Sequence, residues 1–246
     1  MPPSSSRAAV ALASVSGPKQ ARSERTLYRL LEAAEALIAE RGLAGLSIPA
    51  VVARAGSSVG GFYGRFRDKN ELLRALEERF FLEVTARLEA LSDERRWVDA
   101  TVRDIVAAAV DELVTVTEER RELIRTFLFR ATQDTAIRDQ AIDFRRRAAE
   151  RMGAVLLAKA SDVRHPEPAL ALDLAVQAAF SLMQNHVVLD GTHAAGRTLT
   201  IDELKREIAR LVLAYVGLAA ETSDAREPDR LAAAAADGGR RAPKPA

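Results

Sequence analysis

Residues 47–72, SIPAVVARAGSSVGGFYGRFRDKNEL, decide the fold. Ser47 is placed to cap a short helix, with Pro49 in its first turn, where a missing N–H does no harm. Ala55-Gly56-Ser57 then reads as a tight reversal, because glycine reaches backbone angles that other residues avoid. Ser58 caps a second short helix of about two turns. Asp68, with Glu71 three residues on, forms a capping-box-like start to a third. Two short helices joined by a sharp turn make a helix-turn-helix. Val51, Val52, Phe62 and Phe66 are the residues expected to bury between its helices.

The chemistry of the same stretch points to DNA. In a helix-turn-helix the first residues of the second helix reach base edges in the major groove. Here those are Ser57, Ser58, Val59 and Gly61, with Gly60 beside them in the DNA-binding segment. Val59 offers a methyl surface for thymine, and the serines can pair with several bases. Gly60, Gly61 and Gly64 dilute that helix at about 1 kcal/mol each relative to Ala. Side-chain readout is therefore expected to be thin, with close backbone approach and DNA shape supplying part of the specificity.

In register and without gaps, residues 46–72 resemble the DNA-binding segment of the TetR family of bacterial transcriptional regulators. The residues that carry the likeness are Ser47, Ala55-Gly56, Ser58, Gly60, Tyr63, Phe66, Lys69 and Leu72. The resemblance implies an all-α chain, with a three-helix DNA-binding unit set on a larger helical body of about nine helices in total. It implies that Ser47, Tyr63, Arg65 and Lys69 hold the phosphate backbone, which all four can do as hydrogen-bond donors. Each also has a plainer reading: Ser47 as a cap alone, Tyr63 as core, Arg65 and Lys69 as a solvated face. Arg54 and Arg67 are undecided between the two. The sequence departs from the family at Gly64, where a bulkier residue is usual, and at Val59, where a polar one is common.

Outward from this stretch, nearly everything between the ends has helical period. Ser23 is the expected cap of a first helix, with Leu27, Leu30, Leu31, Ala34, Leu37 and Ile38 on one face. A long helix is expected to run from Asp68 to about Leu91. Further helices are expected at about 98–116, 119–132, 135–160, 167–190 and 201–219, the last opened by the capping box Thr200–Glu203. No stretch shows sustained strand alternation. Residues 1–22 and 221–246 lack periodicity and read as disordered tails. The resemblance implies a division into 23–71 for DNA binding and 72–220 for ligand binding and dimerisation.

The charge is divided unevenly. Residues 1–69 hold ten Lys/Arg against five acids, whereas the whole chain of 246 residues carries a net charge of only +1. A basic N-terminal portion on an acidic body is the asymmetry expected when one end meets a polyanion. The chain has no cysteine, which removes disulfides and thiolate metal sites. No apolar run approaches the ~20 residues of a membrane span, and the cytoplasm is the expected compartment. His165, His186 and His193 lie too far apart in sequence for a zinc cluster. No glycine-rich phosphate loop or triad spacing points to an enzyme, and no cofactor is expected.

In the family, the last two long helices form a four-helix dimer interface and each body holds a pocket for a small inducer. The resemblance therefore implies a homodimer through helices about 167–190 and 201–219, reading a palindromic operator on double-stranded DNA. Ile201, Leu204, Ile208, Leu211, Val212, Tyr215 and Leu218 form the stripe expected at that seam, with intramolecular core as the alternative. Helix 167–190 is apolar nearly all round and needs cover on both sides. Its Asp173 and Gln177 suit an interface rim. A small apolar or amphipathic ligand is expected in a pocket drawn from Trp97, Phe127, Phe144, Phe180, Gln184 and His186, each of which has plain core packing as its alternative. Two other readings stand beside a ligand-released repressor: a regulator whose body serves a protein partner, and an enzyme carrying a DNA-binding segment.

Overall fold

A computed structural model describes residues 18–159 and 164–217 of the chain. The described residues form nine α-helices: α1 (Pro18–Arg41), α2 (Ile48–Arg54), α3 (Val59–Tyr63), α4 (Lys69–Leu91), α5 (Val102–Glu119), α6 (Arg121–Ala131), α7 (Thr135–Leu157), α8 (Pro168–Val188) and α9 (Ile201–Tyr215). The fold is all-α. A hairpin of two residues a side, His193–Ala194 against Arg197–Thr198, occupies the break before α9 and was not signalled by the sequence pattern. Residues 1–17 of the expected tail 1–22, the expected tail 221–246, and Leu218 of the expected seam lie outside the described residues.

Several caps explain why the helices begin where they do. The hydroxyls of Ser47 and Ser58 and the carboxylate of Asp68 accept the N–H groups of Ala50, Gly61 and Glu71, opening α2, α3 and α4. Each satisfies a donor that the first helical turn leaves without an intrahelical partner. The reciprocal half of the expected Asp68–Glu71 box is different: the Glu71 carboxylate takes the Arg67 N–H, at 2.6 Å. Full capping boxes open α5, through Thr101 and Asp104, and α9, through Thr200 and Glu203.

Several boundaries differ from the sequence expectation, and α9 ends at Tyr215, short of 219. α1 begins at Pro18, so Ser23 lies inside it and residues 18–22 are helical. α5 starts at Val102 instead of 98, because Glu94–Trp97 coil into a 3-10 turn and Thr101 supplies the cap. α3 spans five residues, little more than one turn.

Two apolar cores result. The first joins α1, α2, α3 and the start of α4 through Leu30, Ile38, Val51, Phe62, Phe66 and Leu72, and it also takes in Leu123 and Phe127 of α6. The second joins α5, α7, α8 and α9 with the end of α4, around Ile105, Val114, Met152, Leu172, Leu204 and Ile208. Helix α6 belongs by sequence to the body, yet its apolar face closes the core of the N-terminal unit.

Candidate nucleic-acid interface and the cavity behind it

The reversal between α2 and α3 turns on Gly56, whose φ of 56° lies in the left-handed region. Beyond it the residue roles separate by burial. Phe62 is fully buried and stacks edge-on against Tyr63 and tilted against Phe66, with ring centres 5.4 and 5.5 Å apart. Val59 and Tyr63 are 54% and 55% exposed, and Ser47, Ser58, Gly60 and Gly64 are exposed with them. Ser57 and Gly61 are half-buried. The face presented by α3 is thus a valine methyl surface, two glycines, a serine and a phenol.

The cations of this region are less available than the sequence suggested. Arg65 donates from Nε and Nη2 to the Ser23 carbonyl at 3.2 and 3.0 Å, and from Nη1 to the Gly61 carbonyl at 2.9 Å. It ties α1 to α3, which differs from the expected free phosphate contact. Lys69 Nζ lies 3.4 Å from the Leu43 carbonyl, half-buried. Arg54 forms a two-pronged pair with Glu40 at 2.6 and 2.7 Å. That bond holds the Glu40 carboxyl below its usual range. Arg67 pairs with Glu71 while keeping 83% of its side chain exposed. The N–H of Arg67 is the first cause of the lowered Glu71 pKa.

Behind this unit the body forms a half-open cavity of about 250 Å³, walled by α4, α5, α6, α7 and α8 with one residue of α9. Phe80, Phe127, Phe144, Phe180, Met183 and Gln184 are among its lining residues. Phe80 and Phe127 stack with ring centres 5.5 Å apart, and Phe144 meets Phe180 at 6.1 Å. Phe127 is buried in the core of the N-terminal unit and also walls the cavity. One side chain therefore touches both compartments.

Two residues expected in the pocket are elsewhere. Trp97 packs in the body core, where its Nε1 donates to the Leu91 carbonyl at 2.7 Å and Arg96 covers its ring. It plugs the end of α4, outside the cavity. His186 is buried at the end of α8, with Nε2 3.0 Å from Arg121 Nη1 and 3.2 Å from Glu118, and Nδ1 2.9 Å from the Thr192 hydroxyl. These partners spend the ring on joining α8 to the α5–α6 junction.

The expected seam on α9 also divides. Leu204, Ile208 and Val212 are buried in the body core, while Leu211 and Tyr215 remain 43% and 41% exposed. On α8, Leu170 and Leu174 are exposed, and Gln177 bonds Asp173 at 2.8 Å on the same outer face. Among the described residues no three His, Cys, Asp or Glu side chains gather as metal ligands, and no helix is long and apolar enough to cross a membrane.

Residues 30–76, which span the second half of α1, α2, α3 and the start of α4, match the model of the bacterial regulatory proteins of the tetR family. Over this DNA-binding segment the chain is similar to the TetR family. It is 34% identical over 98 residues to YvdT, an uncharacterized HTH-type transcriptional regulator of Bacillus subtilis. That match covers 39% of this chain and spans about half, 47%, of the relative. The fold extends the likeness beyond the matched segment. A TetR transcription regulator from Haloarcula marismortui superposes with a TM-score of 0.61 at 14% identity, over 78% of this chain and 97% of that one. A transcriptional regulator from Rhodococcus sp. Rha1 gives 0.60 at 19% identity, over 77% and 95%. At these identities the TetR-family likeness of the body is one of fold.

Proposed function

We propose that this chain is a TetR-like DNA-binding transcriptional regulator, a homodimeric repressor that leaves a palindromic operator when a small molecule enters its body. The observation that carries this reading is Phe127, shared between the core beneath α3 and the wall of the cavity. A ligand that displaces Phe127 or Phe80 must repack the unit that presents Val59 and Tyr63, because close-packed cores do not deform freely. Occupancy would then shift the population toward a spacing of recognition helices that no longer fits the operator.

On the DNA side, Ser57, Ser58, Val59, Gly60 and Gly61 approach bases. Ser47, Tyr63 and Lys69 hold phosphates, Gly64 lies exposed beside them, and Arg65 positions α3 against α1. The exposed residues Leu170 and Leu174 of α8 and Leu211 and Tyr215 of α9 support pairing with a second copy through these helices. The reading gives the chain no catalytic step.

Fluorescence anisotropy with the full chain and double-stranded DNA from around its own gene tests the reading. Binding should be specific, fall steeply with salt, and weaken at least tenfold for Tyr63→Ala. Binding that is indifferent to sequence and to Tyr63 would contradict it.

A further inference from the structure

The polar groups that line the cavity differ in whether they are already occupied. Arg87 and Glu112 face it as a pair, with Nη1 3.2 Å from Oε1, and Arg87 also holds Glu83 and Glu119. The Thr117 hydroxyl donates to the Leu113 carbonyl at 2.7 Å. That leaves Arg145 and Gln184, for which the described residues provide no hydrogen-bond or ion-pair partner. The other four arginines of α7 are engaged: Arg138 with Asp139, Arg146 with Asp143 and Glu150, Arg147 with Asp143, and Arg151 with Glu89. The residues three and four positions from Arg145 on its own helix are Ala141, Ile142, Ala148 and Ala149, none of which can pair with it.

Arg145 follows Phe144, and Gln184 lies one turn beyond Phe180, the two aromatic rings that meet across α7 and α8. We infer that the cavity takes an amphipathic monoanion, a carboxylate on an apolar tail, with the headgroup at Arg145 and Gln184 and the tail among Phe80, Phe127 and Met183. A guanidinium binds a carboxylate through two parallel hydrogen bonds, and a primary amide can add a donor. A half-buried cation beside an apolar wall gains most from an anion that brings its own apolar cover. A neutral or cationic amphiphile would leave Arg145 without a counter-charge. This inference rests on the cavity being the ligand site of the proposed regulator.

Calorimetric titration of the full chain with decanoate, decan-1-ol and decylamine, each below its aggregation concentration, tests it. Decanoate should bind at least about tenfold more tightly than decanol, the scale of one charged hydrogen bond, and decylamine should bind worst. Arg145→Gln should erase the preference for decanoate over decanol, and Arg145→Lys should keep part of it. Equal binding of decanoate and decanol, or a preference that survives Arg145→Gln, would overturn the anion assignment alone. Binding of none of the three would overturn both that assignment and the cavity as a ligand site.

Discussion

Arg120, at the junction of α5 and α6, ion-pairs with Glu35 in the middle of α1, 85 positions away in sequence. Glu35 also holds Arg79, and the second prong of Arg120 meets both oxygens of Glu83 at 3.0 Å. Arg87 continues from Glu83 to Glu112 on the cavity wall. A connected set of partly buried charges thus runs from the cavity to the helix that buttresses α3. Replacing Glu35 by Gln should alter the coupling between ligand and DNA by roughly 0.5–2 kcal/mol. It should change ligand-free DNA affinity much less. Titrating DNA with and without a cavity ligand measures this, and unchanged coupling would remove the network from the mechanism.

A second link between the two units is buried more deeply. Glu77 of α4 is 2% exposed and accepts from Arg130 of α6 at 2.6 Å. Arg130→Ala would leave that carboxylate buried without its partner and is expected to cost roughly 3–5 kcal/mol. Glu77→Gln, which removes the buried charge, should cost less. Denaturant unfolding of the two variants orders them, and the reverse order would contradict the assignment.

The two carboxylates with opposite shifts give a pH test. Burial pushes the Glu77 pKa up, with Arg130 opposing. The folded state therefore holds that proton to higher pH than the unfolded chain does. The contribution of Glu77 falls as pH rises from about the unfolded carboxylate value, ~4.3, through its folded value. Glu203 is shifted the other way, to about 2, first by its bond to Arg197 and then by the Thr200 N–H. Its contribution is present above ~4.3 and is lost as pH falls toward 2. Stability measured from pH 2 to 7 should lose its acid-side slope in part with Glu203→Gln, and should fall less toward neutrality with Glu77→Gln. Unchanged profiles would contradict both.

Glycines of α3 separate folding from DNA approach. A Cβ at Gly61 would stand 2.7 Å from the Ser57 hydroxyl and 3.2 Å from that of Ser58, so Gly61→Ala disturbs the cap itself. A Cβ at Gly60 meets nothing closer than 4.0 Å. Gly60→Ala should therefore stabilise the free chain by up to about 1 kcal/mol. If the α3 backbone lies close to DNA, the same methyl should weaken operator binding tenfold or more. Thermal unfolding and anisotropy on one preparation read both. A stabilised variant with full affinity would exclude close approach at this position.

What the sequence made legible was mostly local. Ser47, Ser58, Asp68 and Thr200 lie beside the backbone donors they cap, so spacing alone reveals them. Thr101–Asp104 carries the same signal, one turn inside the expected helix start at 98. Contacts across long separations were hidden. Arg65 reaches Ser23, 42 residues away, and His186 meets Arg121, 65 away, so both resembled free functional groups. The α9 stripe was correctly periodic, yet period does not say whether α5 or a second copy covers it. The cavity is a property of how five helices pack, and aromatic content alone selected Phe127, Phe144 and Phe180 together with Trp97, which plugs a helix end.

A hydroxyl-radical footprint of the full chain on its best in vitro selected DNA tests the central claim most directly. Two protected half-sites related by a two-fold axis, with centres one helical turn or roughly 34–36 Å apart, are expected. They should fade as a cavity ligand is added. A single unsymmetrical half-site, or protection that a bound ligand leaves intact, would contradict a ligand-released dimer on a palindrome.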